Sequence, residues 1–266
     1  MAGPALSETD TIAVSLGAVT KVYDNGVTAL GPLDLDVRRG EFISLLGPSG
    51  CGKSTALRLI AGLTPPSSGV VGVSHHTSET RAGHSIGFVF QEPTLMPWAS
   101  VRDNVRLPVK LAGMPATQAD TRIAEALAQV GLSEFADAYP RELSGGMKMR
   151  VSLARALVTR PDILLMDEPF AALDEITRFR LNNDLLELWR KLNMTVIFVT
   201  HSVFESVYLS QRVIVMSSRP GRINAEFRID TPEPRVEDFR MSAGYAAYCR
   251  EVSNALVPSY SGLASA

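Results

Sequence analysis

The chain has 266 residues, enough to bury one large core or a core with a smaller satellite subdomain. Apolar residues make up 45% and charged residues 20% of it, a balance typical of a globular protein that excludes a largely disordered one. The formal net charge of −2 gives no support to broad nucleic-acid binding, which usually requires a strongly basic surface.

Two further features bear on the cellular setting. Cys51 and Cys249 are the only cysteines, so a disulfide framework is not expected and a reducing cytosol is the natural environment. The first ten residues lack the basic and apolar segments of a secretory signal, and no apolar run approaches the roughly 20 residues of a membrane helix. We therefore expect a chain that does not itself span a membrane, although it could work at one through a partner.

The predicted elements alternate between strands and helices. Two strand-like pieces, "TIAVSLGAV" and "LGPLDLDV", are separated by a turn containing Asn and Gly, which favours antiparallel pairing. Five short apolar runs typical of buried strands follow, at 41–46, 85–90, 162–167, 194–200 and 212–217. Helical spacing occurs in "GKSTALRLIAGL", "IAEALAQVGL" and "DLLELWRKL". The alternation predicts an α/β fold with a mainly parallel sheet, and the helical signals between about 92 and 155 predict an inserted helical subdomain.

The strongest motif is "GPSGCGKST" at 47–55, which matches the phosphate-loop pattern G-x-x-x-x-G-K-[ST] directly after a strand. Its glycines let successive N–H groups turn inward towards phosphate oxygens. We expect Lys53 to reach the terminal phosphates and the Ser54 hydroxyl to complete the Mg²⁺ shell. The alternative is a glycine-rich turn without a ligand. The predicted nucleotide contacts of this loop are Gly47, Pro48, Ser49, Gly50, Cys51, Gly52, Lys53, Ser54 and Thr55.

A second motif, "ILLMDEP" at 163–169, is an apolar strand that ends in two carboxylates. We expect Asp167 to hold Mg²⁺ through water and Glu168 to orient or deprotonate the attacking water. The alternative is a strand that happens to end in an acidic turn, but its position downstream of a phosphate loop favours the functional interpretation.

The stretch "ELSGGMKMRVSLARAL" at 142–157 places Ser-Gly-Gly at the start of a helix, which exposes N–H groups suited to an anion. A second anion site would be redundant within one nucleotide site, and we expect it to complete the site of a neighbouring copy. Here the chain resembles the ATP-binding cassette (ABC) ATPases, whose signature motif is similar to "LSGGM".

Other motifs of that family follow in order. Gln91 resembles the Q-loop glutamine, Asp174 in "ALD" the D-loop aspartate, and His201 the switch histidine, while Tyr23 resembles the aromatic residue that stacks on adenine. The resemblance covers roughly 12–223 and implies an ATPase domain with a P-loop NTPase core. We predict a disordered N-terminus at 1–11 and a C-terminal extension at 224–266.

The resemblance implies a head-to-tail homodimer with two ATPs at its interface. Each nucleotide would lie between the phosphate loop of one subunit and Ser144, Gly145 and Gly146 of the other. Asp174 would link the two sites, and His201 would contact the γ-phosphate. The implied catalytic residues are Glu168, His201, Lys53 and Gln91, and the implied metal-binding residues are Ser54, Gln91 and Asp167.

Two positions depart from the family pattern. Met149 stands where glutamine is common, and Ser202 stands where aspartate is common after the switch histidine. Neither removes a group to which chemistry is assigned, so we expect them to affect fine tuning and not the presence of activity.

The segments 95–105, 166–178 and 199–223 resemble one branch of the family, the importers for nitrate, sulfonates, taurine and pyrimidine precursors. This resemblance implies the ATP-hydrolysing subunit of an importer, peripheral on the cytoplasmic face of the cell inner membrane. Its partners would be two membrane-spanning permease subunits and, indirectly, a periplasmic or extracellular solute-binding protein, with no nucleic acid. The solute is not identified by this chain.

A phosphate loop also occurs in two other function classes. An ABC ATPase acting on nucleic acid or ribosomes usually carries a long coiled-coil insertion or two cassettes, and a P-loop kinase or GTPase would have no use for the signature segment. The segment "EPTLMPWASVRDNV", containing Trp98, also has two interpretations: a docking site for a helix of the membrane subunit, or part of an internal core.

Overall fold

The computed structural model describes residues 12–74, 86–231, 235 and 237–261, so the predicted disordered segment 1–11 lies outside the described residues. The chain forms two units, Met1–His75 with Thr195–Ala266, and His76–Met194. In the part of the chain that the structure describes, no helix combines the length and the apolar character needed to cross a bilayer.

The first unit begins with a three-stranded antiparallel sheet in the order β2-β1-β4. Strand β1 is Ile12–Val22, β2 is Thr28–Arg38 and β4 is Ser68–Val73. The predicted antiparallel pairing of β1 with β2 is confirmed, with Leu16 opposite Leu35. Strand β4 was not foreseen, because its sequence "SGVVGV" follows a Pro/Ser-rich turn and is short and half-exposed.

The parallel strands of the first unit carry the candidate loops. Strand β3 (Phe42–Leu46) lies between β7 (Thr195–Thr200) and β8 (Arg212–Met216), and both pairings are parallel. Strand β9 (Ile223–Arg228) closes the edge antiparallel to β8. Strands β3 and β7 are buried along their whole length, as their continuous apolar runs predict.

Three α-helices are described in this unit. Helix α1 (Lys53–Ile60) follows β3, and α6 (Val203–Leu209) follows β7. Helix α7 (Ala243–Ser261) lies in the C-terminal extension, after a 3-10 turn at Glu237–Met241. No clear periodicity predicts α7 from sequence, since charged and aromatic residues are mixed in it.

The second unit contains a parallel strand pair and most of the remaining helices. Strand β5 (Ile86–Val89) pairs with β6 (Ile163–Asp167), with Val89 opposite Met166. Between them lie α2 (Val101–Leu111), α3 (Ala116–Gln129) and α4 (Gly145–Leu157), with two 3-10 turns at Ser133–Phe135 and Pro140–Glu142. Helix α5 (Glu175–Leu192) follows β6.

The helical periodicity read from "IAEALAQVGL" corresponds to a buried face. Ile123, Leu127 and Val130 are 0%, 2% and 5% exposed, so the spacing identified the side of α3 that packs inward. The predicted α/β fold with a mainly parallel sheet is also confirmed, because β3 pairs in parallel with β7 and β8, and β5 pairs in parallel with β6.

Candidate functional site

The phosphate loop leaves the buried carboxyl end of β3 and opens α1. Lys53 is only 4% exposed, and its ammonium donates to the carbonyl oxygens of Gly47 at 2.8 Å and Pro48 at 3.0 Å. The lysine is therefore folded into the loop, where a cation can meet phosphate oxygens.

Glycine is required at Gly52 for two reasons. Its φ is +102°, and an added Cβ would lie 2.7 Å from the carbonyl oxygen of Ala29. Side chains rarely adopt this backbone conformation, and the close approach of β2 leaves no space for one. The motif glycine therefore fixes the sharp turn from which α1 begins.

A turn distant in sequence supports the loop from outside. The Nε of Arg219 donates to the carbonyl oxygen of Gly50 at 2.8 Å, and a Cβ on Gly221 would collide with the carbonyl oxygen of Cys51. The sequence interpretation identified "SSRPGR" only as a turn. Arg219 was missed because the contact joins residues 169 positions apart.

Two other predicted residues of the first unit can be placed near this loop. The Tyr23 hydroxyl lies 3.2 Å from the Thr55 hydroxyl, which brings the candidate adenine platform to the start of α1. His201 directly follows β7, and Leu46 lies opposite Thr200 in the parallel register. His201 and Gly47 therefore leave neighbouring strands at the same edge.

Ser202 begins the helix after the candidate histidine. Its hydroxyl accepts a hydrogen bond from the Glu205 N–H at 3.3 Å, while the Thr200 hydroxyl donates to the Glu205 carboxylate at 2.6 Å. Serine and aspartate both cap helix N-termini in this way. The departure at Ser202 therefore retains the capping hydrogen bond.

In the second unit, the strand pair brings Gln91 and the acidic pair to one edge. Asp167 is the last residue of β6 and Glu168 follows it, while Gln91 lies two residues beyond β5. Glu168 has φ +46°, a left-handed conformation uncommon for residues with side chains. Such conformations occur preferentially at functional sites, where the surrounding structure holds them.

The loop after Gln91 is fixed by the helix that begins with the signature segment. The guanidinium of Arg155 in α4 donates to the carbonyl oxygens of Pro93 and Thr94, both at 2.8 Å. Burial lowers the pKa of Arg155 from its ordinary value, yet a guanidinium stays protonated at neutral pH. Arg155 was not singled out from sequence, because nothing local marks its partners.

The signature segment forms the start of α4. Ser144 is the N-cap, and its hydroxyl accepts from the Met147 N–H at 3.3 Å. Ser144 and Gly145 are exposed, whereas Gly146 is buried and a Cβ on it would lie 2.7 Å from the Thr177 methyl group. Helix α5 therefore packs against this glycine.

Asp174 caps α5 in the same unit. Its carboxylate accepts from the Thr177 N–H at 2.9 Å, and this hydrogen bond, followed by one from the Thr177 side chain, lowers the pKa of Asp174 below its ordinary value. The predicted D-loop residue is thus ionised at neutral pH and exposed at a helix N-terminus.

Met149, the second departure from the family pattern, is 4% exposed and belongs to the core.

The two helices are also joined by an ion pair. The Arg150 guanidinium of α4 lies 2.6 Å from the Asp184 carboxylate of α5. Burial raises the pKa of Asp184, and the charge of Arg150 opposes that rise. Together with the Gly146 contact, the pair fixes the signature helix against the helix that Asp174 caps.

Comparison with known proteins identifies the family. The family description "ABC transporter" matches residues 30–171, a span that includes the phosphate loop, the signature segment and the acidic pair. The chain belongs to the ABC transporter family. It is a cassette ATPase of that family, and ATP is its nucleotide.

Individual relatives cover most of the chain. It is 48% identical to the taurine import ATP-binding protein of Rhizobium johnstonii, over 78% of this chain and 79% of that protein. It is 43% identical to the nitrate import ATP-binding protein of a Synechocystis species, over 86% and 88% of the two chains. The dimeric structure of a bacterial ABC transporter cassette superposes with a TM-score of 0.71 at 33% identity, covering 82% of this chain and all of that one.

Proposed function

We propose that this chain is the ATP-hydrolysing subunit of an importer for a small solute of the nitrate, sulfonate, taurine or pyrimidine-precursor type. The observation that carries the proposal is the identity of 48% and 43% to taurine and nitrate import proteins over most of the chain. Specificity for the solute would reside in the permease pair and the solute-binding protein.

The phosphate loop would bind the ATP phosphates, with its N–H groups as donors and Lys53 at the terminal phosphates. The buried position of the Lys53 ammonium, next to the Gly47 carbonyl, supports this role because the cation is already confined to the loop. Tyr23 would stack on adenine. Its hydrogen bond to Thr55 supports a position beside the start of α1.

The residues proposed for Mg²⁺ suit that ion chemically. Ser54, Gln91 and Asp167 offer a hydroxyl, an amide and a carboxylate oxygen, the hard donors that Mg²⁺ prefers. When bound, Mg²⁺ would neutralise charge on the β- and γ-phosphate oxygens. The position of Asp167 supports the assignment, because it is the last residue of β6 and its backbone is held by the sheet.

Glu168 would orient the attacking water and accept its proton. As the water oxygen bonds to the γ-phosphorus, the bond from that phosphorus to the β,γ-bridging oxygen breaks, and ADP leaves with the bridging oxygen. The left-handed backbone of Glu168 supports this role, since the strained conformation turns the chain away from the β6 direction. His201 would hydrogen-bond to the γ-phosphate. Its attachment to the buried end of β7 and to a capped helix supports a fixed position.

A head-to-tail homodimer would complete the site in trans. Ser144 and Gly145 are exposed at the first turn of α4, where unpaired N–H groups and the helix dipole attract an anion. We propose that this turn binds the nucleotide of the partner subunit, with Gly146 behind it. Asp174, ionised and exposed, would link the two sites.

A groove in the second unit would receive the membrane partner. It is lined by apolar and basic side chains, among them Phe88, Phe90, Leu107, Leu111 and Arg155. Leu111 is 79% exposed, and the Phe88 and Phe90 rings stack at 4.3 Å. An apolar face rimmed by a guanidinium is typical of a protein interface.

The neighbouring loop is held rigidly enough to present a side chain. Asn104 is fully buried, and its amide contacts the main chain of Met96, Ala99 and Ser100. Trp98 lies within this loop and is 77% exposed, which supports docking and not an internal core. We propose that a short helix of each permease subunit docks here, at the cytoplasmic face of the inner membrane.

Replacement of the proposed base tests the function directly. Glu168→Gln should lower kcat for ATP at least about a hundredfold, because the amide cannot accept a proton, while ATP binding changes little. It should also accumulate an ATP-bound dimer, measured by size-exclusion chromatography with ATP.

The matched control is Glu187→Gln, which makes the same chemical change at an exposed position of α5. We expect it to hydrolyse ATP normally. Near-normal turnover by the Glu168→Gln chain would contradict the assignment of the base.

A further inference from the structure

Helix α6 begins two residues after His201, so its placement determines how the backbone leaves the candidate histidine. It has only seven residues, from Val203 to Leu209. A helix of this length is not stable alone and depends on contacts with its surroundings. The contacts at its two ends come from the C-terminal extension.

Arg235 holds the carboxyl end of α6. It is 5% exposed, and its Nε donates to the Thr231 hydroxyl at 2.8 Å. Its terminal nitrogens donate to four main-chain carbonyl oxygens, those of Val207 at 3.4 Å, Tyr208 at 2.9 Å, Ser210 at 2.7 Å and Ile229 at 3.2 Å.

This arrangement satisfies carbonyl groups that have no partner within a helix. The last carbonyls of a helix carry partial negative charge, and a cation beside them is stabilising. A buried guanidinium that donates to several carbonyls stabilises the end of the helix and also fixes its position, because the planar set of donors defines the direction and distance of each hydrogen bond. Arg235 therefore anchors the end of α6 to the end of β9.

Tyr245 holds the other half of the helix. It is 8% exposed, and its hydroxyl donates to the carbonyl oxygen of Phe204 at 3.0 Å. Burial raises the pKa of the Tyr245 phenol, which keeps the hydroxyl protonated as a donor at neutral pH. The Phe239 ring packs edge-on against Tyr245 at 5.3 Å, and the Arg240 guanidinium covers the Tyr208 ring at 3.6 Å.

We propose that the C-terminal extension positions His201 by clamping α6, with Arg235 and Tyr245 as positioning residues for ATP hydrolysis. This inference rests on the proposed function, in which His201 contacts the γ-phosphate. Transmission is direct: Ser202 caps α6, and the Thr200–Glu205 hydrogen bond ties the helix to the end of β7. A shift of α6 would therefore displace His201, which lies between these two attachments.

Conservative variants of the full-length chain test the clamp. Tyr245→Phe removes one hydroxyl and keeps the ring. Arg235→Gln removes most of the hydrogen bonds to the carbonyl oxygens, and Arg235→Lys removes part of them. We expect kcat to fall about threefold for Tyr245→Phe and about tenfold for Arg235→Gln, with Arg235→Lys between them. KM for ATP should change less than about twofold, because the phosphate loop is not altered.

Two matched controls lie in α7, the helix that contains Tyr245. Tyr248→Phe removes a hydroxyl that donates to the Asp230 carbonyl oxygen at 3.4 Å, and Arg250→Gln removes an exposed charge. Both should retain the wild-type kcat. Equal losses in the controls would show that general destabilisation, and not the clamp, lowers turnover.

Action through His201 has its own test. In a His201→Ala chain, the residual turnover should no longer respond to Tyr245→Phe, because residues that act through one group are not additive. An undiminished threefold effect in that chain would overturn the proposal.

Hydrogen exchange supplies a readout independent of activity. The amides of α6 should exchange faster in Tyr245→Phe, while those of α1 keep their wild-type rates. Normal kcat and normal α6 exchange in folded variants would overturn this inference alone, whereas no turnover by the wild-type chain would overturn the proposed function with it. If the Arg235 variants do not fold, Tyr245→Phe decides.

Discussion

Arg219 shows how a single side chain can tune a loop that it does not belong to. It is exposed, and its Nε donates to the Gly50 carbonyl oxygen at 2.8 Å. A charged donor strengthens such a hydrogen bond, although solvent reduces its net contribution. Gly50 has φ +74° and lies in the sharp turn of the loop. A hydrogen bond to its carbonyl oxygen therefore helps to hold the orientation of the loop's N–H groups. Arg219 thus stabilises the conformation of the loop for which phosphate binding is proposed.

Arg219→Ala should weaken ATP binding without affecting the chemical step. We expect KM for ATP to rise about threefold to tenfold while kcat stays within about twofold, as for a hydrogen bond of roughly 1 kcal/mol lost from the binding-competent loop. Steady-state kinetics and calorimetric titration of ATP measure the two effects.

The control for Arg219→Ala is Arg228→Ala, which removes an exposed arginine from β9. It should leave KM unchanged. An unchanged ATP affinity in Arg219→Ala would mean that the loop keeps its shape without this contact.

At the scale of elements, the signature helix depends on a close approach to α5. The Thr177 methyl group lies where a side chain on Gly146 would have to go, whereas a Cβ on Gly145 would meet the Leu173 side chain at an ordinary 3.4 Å. The two neighbouring glycines therefore have different structural roles. Gly146 permits packing, and Gly145 stays exposed for the proposed nucleotide contact.

Gly146→Ala should lower the free energy of unfolding by about 1–2 kcal/mol, because the added methyl overpacks the α4–α5 contact. Gly145→Ala should change it by less than about 0.5 kcal/mol. Urea unfolding without nucleotide measures both, so that any loss of ATP contact does not contribute.

A second substitution separates the collision from other effects. Thr177→Ser removes the colliding methyl and keeps the hydroxyl, so the Gly146→Ala/Thr177→Ser chain should recover most of the lost stability. If the double variant is no more stable than Gly146→Ala, the methyl contact is not the cause.

At the scale of the whole molecule, the proposed dimer requires each site to use both subunits. A Lys53→Ala chain and a Ser144→Arg chain should each be inactive as homodimers. Mixed, they form a heterodimer in which both defects fall on one site and the other is intact. ATP hydrolysis should then appear on mixing. Random pairing of equal amounts makes about half of the dimers mixed, and one of two sites works in each, so the sample should reach up to about a quarter of the specific activity of an intact dimer.

The control mixes each defective chain with itself at the same concentration. Activity that does not rise in the mixed sample, while a mixed dimer is recovered through a different affinity tag on each chain, would contradict a site shared in this way.

The proposed permease contact also belongs to this scale. Trp98→Ala should leave the subunit folded, with its ATPase activity largely intact, because the side chain is 77% exposed. Assembly with the permease pair and solute uptake should fall at least about tenfold, as expected for an aromatic anchor at an interface. Co-purification and transport in vesicles measure the two effects.

Phe135→Ala is a suitable control for Trp98→Ala, since it removes another exposed aromatic from the same unit. Phe135 is 43% exposed and lies outside both the groove residues and the loop that carries Trp98. It should not affect assembly. Normal transport by the Trp98→Ala complex would place the docking surface elsewhere.

The sequence by itself determined the features that depend on contiguous residues. Buried strands such as Phe42–Leu46 are continuous apolar runs, and the phosphate loop is a local pattern of glycines before a helix, so both could be read directly. The order of the ABC motifs likewise indicates the family from sequence alone. The roles assigned to Glu168, His201 and Ser144 remain predictions, but their positions at strand and helix ends agree with the local signals.

Only the tertiary structure decided which distant residues support these motifs. Arg219 donates to Gly50 across 169 positions, and Arg235 donates to carbonyls of α6 and its C-cap that lie 25 to 28 positions before it. Strand β4 also needed the structure, because its short, half-exposed sequence pairs only when β1 offers an edge. The physical reason is common to all three. A hydrogen bond between remote segments leaves no periodicity in the sequence, since its geometry exists only after the chain has folded.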